Sequence, residues 1–310
     1  MSEERKNRRG DRYDAWLVRG MDPMQGFMNY VMGTRTENEA VIHIDIPMEN
    51  LGKFVAEKNA NNPNPIFKYT FLHVVLAALA RTIEARPKMN YFVRNRKFWE
   101  RKVISFSFIA KKQKIDGAEE GLVITNYKKD SDISPLEQMH NSTCKMVSEI
   151  REKKESQDDT TKIMAGLLKL PGFILKPVVK LILHLDRVGK LPKSFVKANP
   201  YGCTCFLSNL GSIKMDASYH HLINFGTNSI FGIIGKKKKL PVYTEENGEV
   251  KTTLKEFLPV SLTVDERIAD GVYYAKTVRI LTALLIKPEL LELPAREKID
   301  YEKLLEEVDV

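Results

Sequence analysis

Cysteine is scarce: the 310 residues hold three, Cys144, Cys203 and Cys205, with no Cys-x-x-Cys pair. Cys203 and Cys205 fall two apart, on one face of an expected strand, and read as small buried hydrophobes. No signal peptide opens the sequence, so a reducing, cytoplasmic compartment is expected. No uncharged run approaches ~18 residues, which excludes a membrane-spanning helix on sequence grounds. There is no phosphate-binding Gly-x-x-x-x-Gly-Lys-Ser/Thr loop: Gly235-Lys236 lacks both the first glycine and the hydroxyl residue. Zinc-finger, arginine-rich and aromatic-platform patterns are missing, so no nucleic-acid partner is expected. The adjacent pair His220-His221 has no third ligand nearby in sequence, and no metal is expected. Internal repeats and low-complexity domains are also absent.

What remains is a large globular chain with a basic balance. Its length allows one large domain or two modest ones with ample core. A net charge of +9 allows attraction to anions such as a CoA-type phosphate or an acidic membrane surface. Residues 1–12 are charged and aperiodic, which predicts a disordered basic arm. Trp16 to Tyr30 has helical spacing, interrupted at Asp22-Pro23. Ile42, Ile44 and Ile46 alternate in a strand, with His43 and Asp45 on the opposite face. Thr70 to Arg86 predicts an apolar helix stopped by Pro87, with His73 at the core or its edge. Ile104 to Ala110 and Gly121 to Asn126 predict strands, and Ser134-Pro135-Leu136-Glu137 opens a helix reaching about Glu155 with a capping box. Gly202 to Leu210 and Ser229 to Gly235 read as strands, and Asn-Gly within Glu245 to Glu249 marks a hairpin.

The richest stretch is Pro259 to Gly271. Val260, Leu262 and Val264 alternate with Ser261, Thr263 and Asp265, and Glu266 falls on the apolar parity, predicting an inward carboxylate if the strand continues. Asp270 is placed as N-cap of a helix carrying Val272, Ala275, Val278, Leu281 and Leu285 on one stripe. Spacing alone admits a plain strand end followed by a capped helix as readily as a site.

This segment resembles the Asp-His-Arg-x-x-Asp-Gly signature of the catalytic domain of dihydrolipoamide acyltransferases, the core subunits of 2-oxoacid dehydrogenase complexes, to which chloramphenicol acetyltransferases are related. Asp265, Arg267, Asp270 and Gly271 match, and Glu266 stands where the family has its catalytic histidine. Further resemblances follow in order: Arg86 to Asn90 to a Pro-x-x-Asn turn, Glu120 to Thr125 to a Gly-Leu-Val strand, Leu207 to Gly211 to Ile-Ser-Asn-Leu-Gly, and His221 to Gly235 to the segment after it. The order and spacing fit over about residues 12–292.

The resemblance implies an α/β fold of the chloramphenicol acetyltransferase-like type, a two-layer sandwich with one large mixed sheet covered by helices, over residues 13–293. It implies a homotrimer with active sites at subunit interfaces. No lipoyl domain precedes the domain here, so the expected arrangement is a stand-alone domain without covalent lipoyl group, any lipoyl carrier coming in trans. Residues 294–310 are read as an acidic C-terminal tail that adds a short helix. In the family the histidine takes a thiol proton from CoA or dihydrolipoamide and a hydroxyl stabilises the oxyanion. Carried over, these roles fall to Glu266 and to Ser208, the latter equally readable as a strand-end serine. A thiol of pKa about 8.5 and a free glutamate near 4.3 are poorly matched, and burial is what would raise Glu266. Asp270 is expected to pair with an N-terminal arginine, with Arg19 the best match and Arg12 and Arg35 its competitors.

Two segments stand apart. Lys236 to Lys239 is the sharpest charge run, in which Lys236 and Lys238 share a face and suit CoA phosphates, or else discourage edge aggregation. The insertion 161–192 is apolar and basic, broken at Pro171 and Pro177, with Lys176, Lys180, His184 and Arg187 on one stripe. It suits a peripheral membrane surface, an acyl chain, or packing within the trimer. Two functions are therefore expected to compete: a CoA-thioester-dependent acyltransferase using Glu266, and a non-catalytic trimeric scaffold or acyl-CoA-binding pseudoenzyme.

Overall fold

A computed structural model describes residues 5–64, 66–111, 120–152, 165–192, 195–196, 199–246 and 248–308. The first part of the insertion, residues 161–164, lies outside them. In chain order the elements are β1 (Ala15–Leu17), α1 (Pro23–Val31), β2 (Glu39–Pro47), α2 (Met48–Ala60), α3 (Phe71–Ala85), β3 (Tyr91–Arg94), β4 (Lys97–Arg101), β5 (Ile104–Lys111), β6 (Glu120–Tyr127) and α4 (Pro135–Glu152). Then come α5 (Gly172–Arg187), β7 (Cys205–Asn209), β8 (Ile230–Ile234), β9 (Lys238–Glu246), β10 (Glu249–Asp265), α6 (Gly271–Ile286) and α7 (Tyr301–Glu307).

The strands form one large sheet in the order β2-β10-β8-β7-β5-β6, with β9 also on β10, and a small sheet β1-β4-β3. β7 runs parallel to both β5 and β8 while the other pairs are antiparallel, so the large sheet is mixed. Period-2 alternation sorts its faces. Ile44, Ile46, Val260, Leu262 and Val264 point to one side, where Val75, Leu76 and Leu79 of α3 and Leu281 and Leu285 of α6 close a single apolar core. The opposite face carries Phe206, Phe231 and Ile233, covered by Leu222 from the 210–228 loop. This is the α/β architecture that the sequence predicts, and the strands at β2, β5 to β8 and β10 lie where alternation puts them.

Differences have local causes. Trp16 sits in β1 opposite Glu100, not in a helix. The helix starts only at Pro23, where Asp22 accepts hydrogen bonds from the Met24 and Gln25 amides. The β3–β4 hairpin turns on Asn95 and Arg96, both left-handed at φ 52° and 60°, without the glycine that marks such turns. Residues 5–10 are exposed, but the last residue of the expected arm is not: Arg12 is buried over Phe92 and Trp99 and hydrogen-bonds Asp14, because a guanidinium can stack and pair at once. Beyond Pro294 the tail does form its short helix, and Ala295, Leu304, Leu305 and Val308 enter the main core. Arg81 of α3, fully buried, holds it there by donating to the carbonyls of Leu293, Pro294, Ala295 and Glu297.

The start of α3 couples the fold to pH. His73 Nδ1 accepts the Thr70 amide at 3.1 Å in the capping box, and the ring packs edge-on against His140 at 5.0 Å. Burial, helped by the neighbouring His140, lowers its pKa from 6.5 to about 3. Between those values the unfolded chain binds a proton that the folded chain refuses, so this stability is complete above pH 6.5 and is lost as pH falls toward 3. Urea unfolding between about pH 6.5 and pH 5 is expected to show a loss of roughly 1.4 kcal/mol per pH unit that His73→Gln removes, since glutamine keeps the capping box without the titration. Equal slopes in both proteins would refute the assignment.

Candidate active site

At the end of β10 the carboxylate of Asp265 is wholly buried, with 0% of its side chain exposed. Arg267, two residues on, folds back to bind it through Nε at 2.8 Å and Nη2 at 2.7 Å, and also donates to the carbonyls of Met32 and Gly33. Arg35 approaches from the other side, Nε to Oδ2 at 3.8 Å, and donates to the carbonyls of Ile223 at 2.6 Å and Gly226 at 3.2 Å. Asn224 Oδ1 accepts the Arg35 amide at 2.8 Å, and Tyr274 of α6 donates to the Asp265 carbonyl at 2.8 Å. Burial pushes the Arg35 pKa down to about 10 despite the Asp265 charge beside it, with Arg94 and Arg267 adding to the fall. Asp265, through its carboxylate to Arg267 and Arg35 and its carbonyl to Tyr274, thus ties residues 32–36 and the start of α6 to the end of β10, and Arg35 carries the link on to the 222–226 loop.

Two expectations are corrected here, the inward Glu266 and the pairing of Asp270 with Arg19, while Asp270 is the helix cap that was expected. The strand stops at Asp265 because Arg267 turns back onto it, so Glu266 begins a 3₁₀ turn and is exposed, not inward. Asp270 is exposed and caps α6 by accepting the Tyr273 amide at 2.9 Å, a bond that holds its carboxyl below the usual range. It is not paired with Arg19. Arg19 lies 3.6 Å from Asp11 and donates to the Arg9 and Leu17 carbonyls. The N-terminal arginine that meets this motif is Arg35, and the carboxylate it meets is Asp265.

Ser208 is half-buried at the far end of β7. In register it lies beside Ile233, which lies beside Ser261, five residues before Glu266. At roughly 3.3 Å per residue along and about 4.8 Å per strand across, Ser208 and Glu266 of one chain are roughly 15 Å or more apart. The turn after Ser208 is held by close backbone approach: a Cβ on Gly211 would stand 2.4 Å from the Gly235 carbonyl oxygen, so only glycine fits.

The charge run is partly committed. Lys238 binds Asp45 at 2.8 Å and Lys237 binds Glu256 at 3.2 Å, whereas Lys236 is exposed. The expected pairing of Lys236 with Lys238 on a phosphate therefore has a competitor within the chain. His220 is half-buried, stacked on Phe231 at 4.0 Å, and His221 is exposed. His43 links Ser261 (3.0 Å from Nδ1) to Asp45 (3.2 Å from Nε2), an arrangement of nucleophile, base and carboxylate that the β2–β10 register creates. Ser261 is only 1% exposed, so this chain of bonds ties edge strand β2 to β10 and offers no open hydroxyl. Among the described residues no group of three or more His, Cys, Asp or Glu is placed to hold a metal ion, and no helix is long and apolar enough to cross a membrane.

Comparison with known proteins bears on the same region. Residues 193–293 match the family described as 2-oxoacid dehydrogenases acyltransferase (catalytic domain). The fold is similar to that of a probable dihydrolipoamide acetyltransferase from Listeria monocytogenes, at TM-score 0.53 and 14% identity over 87% of this chain and 94% of that one. It is similar to the dihydrolipoamide acetyltransferase of Azotobacter vinelandii, at TM-score 0.52 and 17% identity over 89% and 95%. A chloramphenicol acetyltransferase matches at TM-score 0.50 and 11% identity over 88% and 98%. No curated protein matches the chain in sequence. The fold is therefore the chloramphenicol acetyltransferase-like α/β sandwich, and 101 residues around the motif carry the acyltransferase family pattern.

The two aspartates are expected to separate in mutagenesis. Asp265→Ala leaves buried guanidinium groups without their carboxylate and is expected to cost about 3–5 kcal/mol. Asp270→Ala removes an exposed helix cap and is expected to cost clearly less. Chemical denaturation of both variants checks this, and equal costs would remove Asp265 from its central place.

Proposed function

We propose that this chain is a CoA-thioester-dependent acyltransferase whose active sites form between chains of a homotrimer, Ser208 from one and Glu266 from the next. The observation that carries this is the placement of the two residues at opposite ends of one sheet, each reachable from solvent, on a fold and family pattern of acyltransferases. Contact between chains also suits the ribbon of β9 with the first half of β10, which extends past the end of β2 and exposes Tyr243, Val250 and Leu254.

In the proposed reaction an acceptor thiol, such as dihydrolipoamide free or carried by another chain, gives its proton to a Glu266 carboxylate oxygen. The sulfur attacks the acyl-CoA carbonyl, and the Ser208 hydroxyl donates to the oxyanion. Collapse breaks the carbon–sulfur bond to CoA, whose thiolate takes the proton back. Lys236 and the basic surface near it suit the CoA phosphates, while Arg35, Arg267 and Asp265 hold the motif and Asp270 its helix. A carboxylate is a weak base for a thiol, so turnover below that of a histidine site is expected. The same residue supports the rival reading, a trimer that binds acyl-CoA without turnover.

The test is acyl transfer from a panel of acyl-CoAs to dihydrolipoamide, following CoA release. Glu266→Gln is expected to lose about 10²–10⁴-fold and Ser208→Ala about 10²–10³-fold. Co-assembling the two inactive variants is expected to restore activity, because roughly a quarter of the interfaces then pair two intact partners. No recovery in mixed trimers would place the chemistry within one chain. A silent wild type with activity gained in Glu266→His would favour the non-catalytic reading.

A further inference from the structure

Helix α5 is apolar and basic on nearly every side and is even partly covered along only one stripe. Leu175, Val178, Ile182 and Leu185 are half-buried at helical spacing. On one flank Ile174, Leu181 and Val188 recur every seventh residue and are 39%, 56% and 40% exposed. Phe173 at the outer end is 78% exposed, and Leu168 just before the helix is 73% exposed. Beside the apolar flank Lys176, Lys180 and Arg187 are exposed on a stripe of their own.

The charge around the helix is one-sided. Residues 165–192 hold Lys169, Lys176, Lys180, Arg187 and Lys190, all exposed, against one acid, Asp186. That acid is withdrawn from the surface. Asp186 is buried in an ion pair with Arg94, and its carbonyl accepts from buried Arg12 at 3.2 Å. These bonds fix the C-terminal end of α5 to the domain while leaving its cations without a local counter-charge of their own element. The 16-residue helix is roughly 24 Å long, too short to span a bilayer and long enough to lie along one.

We propose that α5 is a docking element for an anionic lipid surface. Phe173, Ile174, Leu181 and Val188 enter the boundary between headgroups and acyl chains, and Lys176, Lys180 and Arg187 engage the lipid phosphates and carboxylates. Exposed apolar groups alone would suit another protein equally. The five exposed cations with their only acid removed decide for an anionic sheet of charge. The inference stands apart from the acyltransferase reading, since no residue of α5 belongs to the site above.

The test is co-sedimentation of the full chain with vesicles of phosphatidylcholine alone or with about a third phosphatidylserine, alongside its mass by light scattering. Binding is expected to be at least about tenfold stronger to the anionic vesicles, to weaken with salt, and to fall about tenfold or more in Lys176→Glu/Lys180→Glu and in Leu181→Asp, with mass unchanged. Phe173→Trp is expected to be quenched by brominated lipid, a readout that needs no loss of binding. Equal binding to both vesicles, none to either, or a change of mass in Leu181→Asp with vesicle binding intact would overturn the proposal, the last by making this face a contact between copies of the chain.

Discussion

The buried carboxylate of Asp265 is the constraint from which the rest of the motif follows. A charge sealed from water must be met by partners or neutralised, and here one side chain meets it from two residues along and another from the far N-terminal segment. Arg267 reaches back only if the chain turns, so the strand ends where it does. The same turn moves Glu266 into solvent and delivers Asp270 to the head of α6. Ion pair, strand end and helix start are one event. A basic residue that serves as scaffold thereby decides which acidic residue is buried and which faces solvent.

Much of this was legible in the sequence, up to the point where distant groups intervene. Alternation from Val260 to Asp265 reads directly as a strand with Asp265 on the face away from the helices. It misleads one residue later, because nothing in the period announces that Arg267 will bind Asp265 and end the strand. Arg35 stood among three candidates. Resemblance favours Arg19, but carbonyls of Ile223 and Gly226, nearly two hundred residues away, hold Arg35 at the motif instead. The β3–β4 hairpin has no sequence mark because Asn95-Arg96 carries no glycine, and strand β1, only three residues long, is too short for alternation to show around Trp16. The caps of α4 at Ser134 and of α6 at Asp270 are legible in the sequence and form as expected.

The large sheet divides its labour between its faces. Toward the helices it is aliphatic and closed, and changes there act on stability. Toward the 210–228 loop it mixes an aromatic stack of Tyr201, Phe206, Phe231 and His220 with Ser208, Ser261 and His43. Much of this face is covered as well, Phe206, Phe231 and Ser261 being buried, while Tyr201, Ser208, His220 and His43 keep at least partial access to solvent. The exposed flank of α5 and the ribbon of β9 with β10 belong to the same outward side of the energetics.

Arg81 adds a constraint in time. Its guanidinium sits on α3, early in the chain, yet the four carbonyls that satisfy it belong to residues 293–297. During synthesis α3 can coil and meet its neighbouring strands long before those acceptors leave the ribosome. Until they arrive, the guanidinium has only Glu84, 3.7 Å away on the same helix, and water to meet its charge. A chain ending before residue 293 would lack all four of these acceptors, so the C-terminal strap is what completes the surroundings of Arg81.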